Sequence, residues 1–270
     1  MNIAIIGYGK MGKLIEETVR SRGHSVSAVV DPFADGGQSL SGAPLYKDIG
    51  SAAASGAFSQ CDGAIEFTRP DTVTGNIRAL AERGIPLVTG TTGWAGELED
   101  ISAMVREKKA SLLWSSNFSL GVNLFYRIAA FAAKKFDPFD DYDAGGWEAH
   151  HNKKADSPSG TAKTLAETVL GAMTRKKTPV WEKLDRPPAP EELHFASLRL
   201  GSVPGIHSIF FDSPADTIEI THTARNREGF AAGAVRAAEW LVSCPGPGMA
   251  AVNARQGVFT MDDVLEDILA

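Results

Sequence analysis

Cysteine is scarce in this chain of 270 residues, which contains only Cys61 and Cys244. Two cysteines cannot build the disulfide framework of a small secreted domain, so we expect two single thiols and a reducing compartment. Long apolar runs are absent as well, because basic residues flank even the apolar segment 128–133. A membrane-spanning helix needs roughly 20 consecutive apolar residues. These absences argue against a secreted or membrane protein and favour a cytoplasmic one.

An excess of positive charge is also lacking, since the formal net charge is −6. Proteins that bind nucleic acid by charge carry basic patches, so we expect no nucleic-acid partner. Hydrophobic residues make up 43% of the chain and charged residues 22%. This composition is typical of a globular protein with one or two domains.

A glycine-rich turn follows the first predicted strand, 3–6, and consists of Gly7, Tyr8, Gly9, Lys10, Met11 and Gly12. In a βαβ unit that binds a dinucleotide, such glycines permit the tight turn, the approach of the pyrophosphate and the packing of helix on strand. A second predicted strand, 25–30, ends at Asp31, whose carboxylate can accept a hydrogen bond from a ribose hydroxyl. The pattern predicts NADH or NADPH as cofactor. Because no Arg or Lys follows Asp31 closely, NADH is favoured.

Strands and helices alternate through the rest of the N-terminal half. Predicted strands cover 63–67, 86–89 and 111–114, with helices over about 72–83 and 95–108. This alternation predicts an α/β fold with a Rossmann-type, doubly wound parallel sheet, in which ligands bind beyond the carboxyl ends of the strands. Those ends supply further candidate cofactor-binding residues: Phe67, Thr68, Gly90, Thr91, Thr92, Ser115, Ser116, Asn117 and Phe118.

The pattern changes after Asn117, where we place a domain boundary. A helix over 121–135 leads to a strand running to Ala149, and a further helix covers about 160–173. The loop 174–192 is rich in proline and charge, which suits a lid, an oligomer contact or a mobile segment. Three strands at 194–200, 206–211 and 216–222 then predict an α+β domain with a mostly antiparallel sheet. The final helices, 230–243 and 261–269, could complete either domain.

A basic segment joins the strand that ends near Ala149 to the helix after it, and it contains His150, His151, Lys153 and Lys154. Together with free N–H groups at the start of that helix, these side chains predict a pocket for a small anionic molecule. Consecutive residues on a strand point to opposite faces, so both imidazoles share a pocket only where the strand ends. With no clustered cysteine and no H-E-x-x-H motif, we expect no metal. The remaining histidines are expected to be structural or at the surface: His24, His194, His207 and His222. Of these, His207 and His222 could instead line the pocket.

The segment around these residues carries a family resemblance. Glu148-x-His150-His151-x-x-Lys154-x-Asp156-x-Pro158-Ser159-Gly160-Thr161-Ala162 resembles the signature of the dihydrodipicolinate reductases. The resemblance covers nearly the whole chain and extends to the glycine turn, Gly90-Thr91-Thr92-Gly93, Arg199-x-Gly201 and Gly205-x-His207. It implies a homotetrameric, cytoplasmic enzyme of lysine and diaminopimelate synthesis that reduces a small cyclic dicarboxylate with NADH or NADPH.

The resemblance also implies domains and roles. Residues 1–118 would bind the dinucleotide, 119–227 would bind substrate and form the tetramer, and 228–270 would return to the first domain. The catalytic residues would be His150, as the general acid, and Lys154, which would anchor one substrate carboxylate and assist proton delivery. His151, Ser159, Gly160 and Thr161 would also bind substrate. An imidazole with an ordinary pKa near 6.5 suits proton donation at neutral pH.

Two alternatives stay open on the residues alone. Another two-domain Rossmann dehydrogenase, of the aspartate or homoserine type, would share the glycine turn but would not need the His-His-x-x-Lys and Pro-Ser-Gly-Thr pairing. A dinucleotide-sensing regulator would bind cofactor without turnover. In the regulator, replacing His150 and Lys154 would leave function intact.

Overall fold

The computed structural model describes residues 1–34, 37–181, 183–243 and 253–270. The chain forms two compact units. One comprises Met1–Ser119 with Glu228–Ala270, and the other comprises Leu120–Arg227. Cys61 is a half-buried free thiol, whereas Cys244 lies outside the described residues.

A seven-stranded parallel sheet forms the centre of the first unit. Its strand order is β12-β6-β5-β4-β1-β2-β3. The strands are β1 (Asn2–Ile6), β2 (Ser25–Val30), β3 (Leu45–Tyr46), β4 (Gly63–Glu66), β5 (Leu87–Thr89), β6 (Ser111–Trp114) and β12 (Gly257–Phe259). The chain runs outward from β1 through β2 to β3 on one side of the sheet, and from β4 through β5 to β6 on the other side. The topological switch point therefore lies between β1 and β4. The Rossmann-type prediction is therefore confirmed.

Helices connect these strands, as the alternating pattern predicts. They are α1 (Lys10–Ser21), α2 (Ile49–Ala54), α3 (Val73–Ala81), α4 (Leu98–Glu107), α7 (Glu228–Leu241) and α8 (Met261–Leu269). Apolar side chains of the sheet and the helices form a continuous buried cluster that includes Ile6, Ile77 and Ile101. Burial of such side chains is the main favourable term in folding. Three short elements were not predicted: β3, α2 and β12. The two strands have only two or three residues, too few to show a periodicity, and α2 is a single short helix.

The second unit packs two helices against a five-stranded sheet of order β11-β10-β7-β9-β8. The helices are α5 (Leu120–Phe136) and α6 (Gly160–Ala172). The strands are β7 (Asp143–His150), β8 (Thr178–Val180), β9 (Glu192–Arg199), β10 (Ile206–Asp212) and β11 (Thr217–Thr223). Alternate strand residues, such as Phe195, Ile209 and Phe211, join the helices in one buried cluster.

This sheet is mixed, and its strand order is not the order of the strands along the chain. β10 pairs antiparallel with both β7 and β11, while β9 pairs parallel with both β7 and β8. β7 thus lies between β9 and β10, which the sequence places next to each other. The predicted loop 174–192 also contains β8. Strand neighbours are decided by contacts between distant segments, so a period of two along one strand cannot reveal them.

The last two helices belong to the first unit. α7 contacts α1 and the strands β4, β5 and β6, and α8 contacts α7 and β12. From the apolar stripes of these two helices alone, they could have belonged to either domain. Among the described residues, no helix is long and apolar enough to cross a membrane.

Candidate active site

The glycine turn after β1 is shaped by two close backbone approaches. Gly7 has φ +92°, and a Cβ there would lie 2.2 Å from the carbonyl oxygen of Phe67. A Cβ on Gly12 would lie 2.1 Å from the carbonyl oxygen of Gly7, so α1 packs directly against the turn. Only glycine fits at either position without displacing backbone.

Gly9 has a different role from the other two glycines. It is the N-cap of α1 and has no side chain to cap the helix, and a Cβ there would meet no atom within 4 Å. The start of α1 therefore has no side-chain cap from its N-cap residue, and the place of a side chain at Gly9 is open space. An uncapped helix start fits an anionic pyrophosphate, because the helix dipole and the N–H groups both favour negative charge.

A cleft of about 350 Å³ opens beside this turn. Eight of the predicted cofactor-binding residues line it together with Pro70: Gly9, Lys10, Met11, Phe67, Thr68, Gly90, Thr91 and Thr92. A smaller cavity of about 140 Å³ lies next to it and is lined by Thr91, Thr92, Trp94, Trp114 and Ser116 among others. The structure thus brings together strand ends that are up to about a hundred residues apart in sequence.

A buried acid organises the rim of the cleft, and sequence reasoning missed it. Glu66 ends β4 with no exposed surface, and its carboxylate accepts hydrogen bonds from the hydroxyls of Thr68 and Thr89. The hydroxyl of Thr91 in turn accepts from the N–H of Thr68 at 2.8 Å. An acid at the end of a buried apolar strand is the signal that could have revealed this role.

Asp31 lies at the end of β2, as predicted, and both its oxygens bind backbone. Oδ2 accepts from the N–H of Tyr8 at 2.7 Å, and Oδ1 accepts from the N–H of Phe33 at 2.9 Å. The carboxylate is therefore held against the glycine turn. Each oxygen keeps a second lone pair with which to accept a hydroxyl.

The remaining predicted cofactor residues are placed less directly. The hydroxyl of Ser115 donates to the carbonyl of Asn117 at 2.9 Å, which closes the turn after β6. Phe118 is only 1% exposed and packs on the ring of Phe67 at 6.0 Å and on the backbone at Gly233. Phe118 therefore supports the cleft from behind instead of lining it.

In the second unit, strand β7 presents Glu148 and His150 on the same face. Residues two apart on a strand share a face, and here that face meets α6. β7 ends at His150, so the chain bends before His151. The expectation that the two neighbouring imidazoles lie at a strand end agrees with this geometry.

Glu148 is fully buried and is the centre of a polar cluster that sequence reasoning did not assign. Its Oε1 accepts from the N–H of Ser159 at 3.0 Å, the hydroxyl of Ser197 at 2.9 Å and Nη2 of Arg199 at 2.8 Å. Its Oε2 accepts from the hydroxyl of Ser159 and lies 3.2 Å from Nδ1 of His150. The spacing of an acid two residues before the candidate histidine is the signal that could have found it.

His207 also lies in this cluster, although the sequence favoured a structural or surface position. Its Nε2 lies 3.5 Å from Oε2 of Glu148, and its ring lies 5.1 Å from that of His150 in an edge-on arrangement. Gly205, which precedes it by two residues, has no side chain, and a Cβ there would lie 3.1 Å from Nε2 of His150. The missing side chain leaves space beside that nitrogen.

The protonation of the cluster follows from its burial and its charges. Burial alone would raise the pKa of Glu148, but hydrogen bonds from His207, Ser159 and Arg199 outweigh it and hold that pKa well below the usual range. Burial lowers the pKa of His150 to about 4, and the attraction of Glu148 offsets this only in part. At neutral pH the cluster therefore contains a carboxylate beside a neutral His150.

Ser159 caps helix α6 and is already engaged. Its hydroxyl accepts from the N–H of Ala162 at 3.1 Å, while its own N–H and O–H both donate to Glu148. The serine is 2% exposed. Ser159 therefore positions the start of α6, and the exposed Gly160 that follows offers its N–H at the first turn.

Lys154 and His151 lie in the bend between β7 and α6. Nζ of Lys154 forms an ion pair with Asp156 at 2.8 Å, and the lysine side chain is 23% exposed. This contact with Lys154 lowers the pKa of Asp156. The backbone carbonyl of His151 accepts from the N–H of Lys154 at 3.1 Å, which closes the bend.

Glu148, His150 and His207 have ligand atoms within 4.8 Å of one another, a spacing that would suit a metal ion. However, the oxygens of Glu148 already accept several hydrogen bonds, and the cation Arg199 binds one of them. A second cation would be repelled there. The absence of a metal site stays a prediction.

Comparison with known proteins connects both halves of the chain to one family. The family model for the N-terminus of dihydrodipicolinate reductase matches residues 1–118, and the model for its C-terminus matches residues 121–265. The 4-hydroxy-tetrahydrodipicolinate reductase of Christiangramia forsetii is 35% identical over 268 residues, covering 99% of each chain. That of Archaeoglobus fulgidus is 36% identical over 277 residues, covering 98% of this chain and all of its own.

A solved structure shares the fold over nearly the whole length. It is a dipicolinate-bound dihydrodipicolinate reductase from Paenisporosarcina sp. TG-14, with a TM-score of 0.73 and 22% identity, covering 96% of this chain and 97% of its own. The signature around His150 had predicted the same family. The chain belongs to the dihydrodipicolinate reductase family.

Proposed function

We propose that this protein reduces 4-hydroxy-tetrahydrodipicolinate to tetrahydrodipicolinate with NADH or NADPH, a step in diaminopimelate and lysine synthesis. The observation that carries the proposal is the His150 imidazole, held 3.2 Å from the buried Glu148 carboxylate on the same unit as Lys154 and the start of α6. The names of the relatives support the same reaction. A regulator that binds without turnover would not need a buried acid against an imidazole.

The cofactor binds in the first unit under this proposal. The uncapped start of α1 receives the pyrophosphate, Asp31 accepts from the ribose, and the rim of Phe67, Thr68 and Thr91 surrounds the nicotinamide. When bound, the reduced nicotinamide supplies a hydride. NADH is preferred, because a 2′-phosphate beside the Asp31 carboxylate would place like charges together.

The substrate dicarboxylate binds in the second unit. Lys154 attracts one carboxylate by charge, and the first turn of α6, at Gly160 and Thr161, receives the other. His151 completes this side of the pocket, while Ser159 keeps the helix start in position. Lys154 is partly neutralised by Asp156, so the substrate carboxylate shares or replaces that ion pair.

His150 supplies the proton. The net reaction adds a hydride and a proton to the substrate and releases water from the 4-hydroxy form. With a pKa of about 4, His150 is neutral at pH 7 before substrate binds. Two incoming carboxylates favour the protonated imidazole, so the proton is taken up as the substrate binds.

Residues 1–118 and 228–270 form the cofactor domain of the proposal, and 119–227 form the substrate domain, in a homotetrameric and cytoplasmic enzyme. Assembly is supported by the sheet of the second unit. The strand residues that alternate with the buried cluster include apolar side chains that are partly or largely exposed, namely Trp147, Leu198, Ile206 and Phe210. Apolar surface of this kind is typical of contacts between subunits.

A coupled assay tests the reaction. Dihydrodipicolinate synthase supplies the substrate, and oxidation of NADH or NADPH is followed by absorbance. We expect oxidation only when the synthase and its own substrates are present. His150→Gln should lower kcat by about 10²- to 10⁴-fold while the Kd for the cofactor stays the same. No oxidation with either cofactor would refute the proposal.

A thermal shift assay tests the binding site without turnover. Pyridine-2,6-dicarboxylate, a planar dicarboxylate, should raise the unfolding temperature of the protein with cofactor bound. Lys154→Ala should abolish this shift, because the main cation for one carboxylate is lost. Lys153→Ala, which removes a neighbouring exposed lysine, is the matched control and should keep it.

A further inference from the structure

We propose that Glu148 is the positioning residue of the acid: its buried carboxylate, 3.2 Å from Nδ1 of His150, favours a proton on that nitrogen by charge, so that Nε2 is the nitrogen that gives the proton to the substrate. This inference rests on the proposed function and adds a role for a side chain that acts through His150 and does not contact the reacting atoms.

The burial of Glu148 calls for an explanation. Moving a carboxylate out of water costs several kcal/mol even after relaxation, and well-packed apolar residues often serve stability as well as a buried ion pair does. Here the carboxylate has no exposed surface and binds groups from two other segments, Ser159 at the start of α6 and Ser197 and Arg199 on β9. Such a costly group is better explained by what it does to the imidazoles beside it.

The two oxygens of Glu148 face different partners. Oε1 receives an N–H, a hydroxyl and a guanidinium, which fix the carboxylate in place. Oε2 faces Nδ1 of His150 at 3.2 Å and Nε2 of His207 at 3.5 Å. Oε1 therefore anchors the carboxylate through three donors, whereas Oε2 accepts from the hydroxyl of Ser159 and is also the oxygen nearest to both imidazole rings.

This arrangement selects one tautomer of His150. Nδ1 lies 3.2 Å from Oε2 without the angle of a hydrogen bond, so the carboxylate acts on it by charge. A proton on Nδ1 is attracted by the negative oxygen, whereas the lone pair of a bare Nδ1 is repelled by it. Nε2 then lies beside the space left by Gly205. In the reaction the N–H bond at Nε2 breaks with its electron pair staying on the ring, the proton goes to the substrate, and the neutral Nδ1–H form remains against Oε2.

The charge of Glu148 also acts on the acid. The other charged or titratable groups around His150 come from every neighbouring strand and from the bend: His207 on β10, paired across to His222 on β11, Arg199 on β9, and Lys154 and Asp156 after β7. Arg199, Lys154 and a charged His207 all oppose a proton on His150, whereas Glu148 favours it. Glu148, which shares a strand face with His150, is thus the acidic group that stabilises the imidazolium.

The pH profile of kcat distinguishes a positioning role from a purely structural one. Activity requires protonated His150, so kcat falls as the pH rises through the pKa of that group in the substrate complex. Glu148→Gln keeps the shape and one acceptor oxygen but removes the charge. We expect this limb to move to lower pH by about one unit and kcat above it to fall about tenfold, with the Kd for the cofactor unchanged.

Glu239→Gln is the matched control, because it removes a buried, ion-paired carboxylate of the other unit. It should leave the limb in place. A purely structural Glu148 would lower kcat by the same factor at every pH, in proportion to the fraction of folded protein. That outcome would overturn the inference while the activity of the unaltered protein upholds the proposed reaction.

A measurement on the unaltered protein covers the case in which Glu148→Gln does not fold. The ¹⁵N chemical shifts of the imidazole report which nitrogen carries the proton, and comparison with His150→Gln assigns the signals. We expect the neutral form of His150 to carry its proton on Nδ1. A proton on Nε2 would refute the inference whether or not the enzyme turns over.

Discussion

Gly205 has no side chain, and the nearest atom to the place where one would begin is Nε2 of His150 at 3.1 Å. Its φ of +150° also lies in the region that favours glycine. The same logic applies at Gly7 and Gly12 in the other unit, where a Cβ would strike backbone. At the scale of single residues, both candidate sites depend on the space that these glycines leave because they have no side chain.

Gly205→Ala should therefore affect the acid directly. A methyl group beside Nε2 displaces the imidazole or the substrate, and a displacement of about 1 Å can cost 10²-fold in rate. We expect kcat to fall by about 10- to 100-fold, measured in the coupled assay.

Gly201→Ala is the control for the backbone strain. Gly201 also has positive φ, at +49°, but a Cβ there meets no atom within 4 Å. It should fold with a similar loss of stability and keep most of the activity. Equal losses of kcat in the two variants would show that strain, and not contact with His150, is responsible.

At the scale of elements, the ends of α1 and α7 are joined by a buried ion pair. Arg22 and His24, which follow α1, both bind Glu239 on α7, at 2.7 and 2.8 Å. Burial would raise the pKa of Glu239, but the hydrogen bonds from Arg22 and His24 lower it overall. This contact attaches the returning C-terminal segment to the sheet domain.

Glu239→Gln should lower the free energy of unfolding by about 1.5–3 kcal/mol at neutral pH, because hydrogen bonds to a charged group are lost. Urea denaturation followed by tryptophan fluorescence measures it. Since the folded pKa is lowered, the contribution is present above the ordinary carboxyl pKa and is lost as the pH falls through the lowered value. The difference between the two proteins should shrink in acid.

Asp71→Asn is a suitable comparison, because the Arg69–Asp71 pair is largely exposed. Exposed pairs contribute little, so this variant should change the free energy of unfolding by less than about 1 kcal/mol. If Glu239→Gln changed the free energy of unfolding as little as Asp71→Asn does, the ion pair between α1 and α7 would not contribute to stability.

The elements also show where prediction from sequence succeeds. β1, β2, β4, β5 and β6 lie within a residue or two of their predicted bounds, because apolar runs ended by glycine or polar residues mark buried strands. The strand order of the second sheet was not predicted, and there β9 pairs parallel with β7 and not with β10, which follows it in sequence. Nothing in the alternation along one strand encodes its partner.

At the scale of the whole molecule, the sheet of the second unit carries apolar side chains on both faces. One face forms the buried cluster with α5 and α6, and the other includes Leu198, which is 52% exposed. We expect this second face to be covered by other copies of the chain. The protein should then sediment as a species with four times the 28.7 kDa mass of one chain.

Leu198→Glu should shift the sedimenting species to a smaller one at micromolar concentration, because a charge would be buried without a partner. Analytical ultracentrifugation measures the change. Ile268→Glu, at a residue of α8 that is 58% exposed, is the matched control and should leave the mass as it is. A monomer for the unaltered protein would contradict the assembly.

What the sequence determined by itself is local. The glycine turn, the alternation of strands and helices, the Ser159 cap and the signature around His150 and Lys154 all depend on residues close together along the chain. They sufficed for the fold class, the family and most of the cleft-lining residues.

The tertiary structure alone decided the cluster around Glu148. It brings Arg199, His207 and Gly205 to an acid some fifty residues earlier, removes that acid from water and lowers the pKa of His150. Burial and long-range hydrogen bonds exist only once β7, β9 and β10 lie side by side, so no local pattern could reveal them.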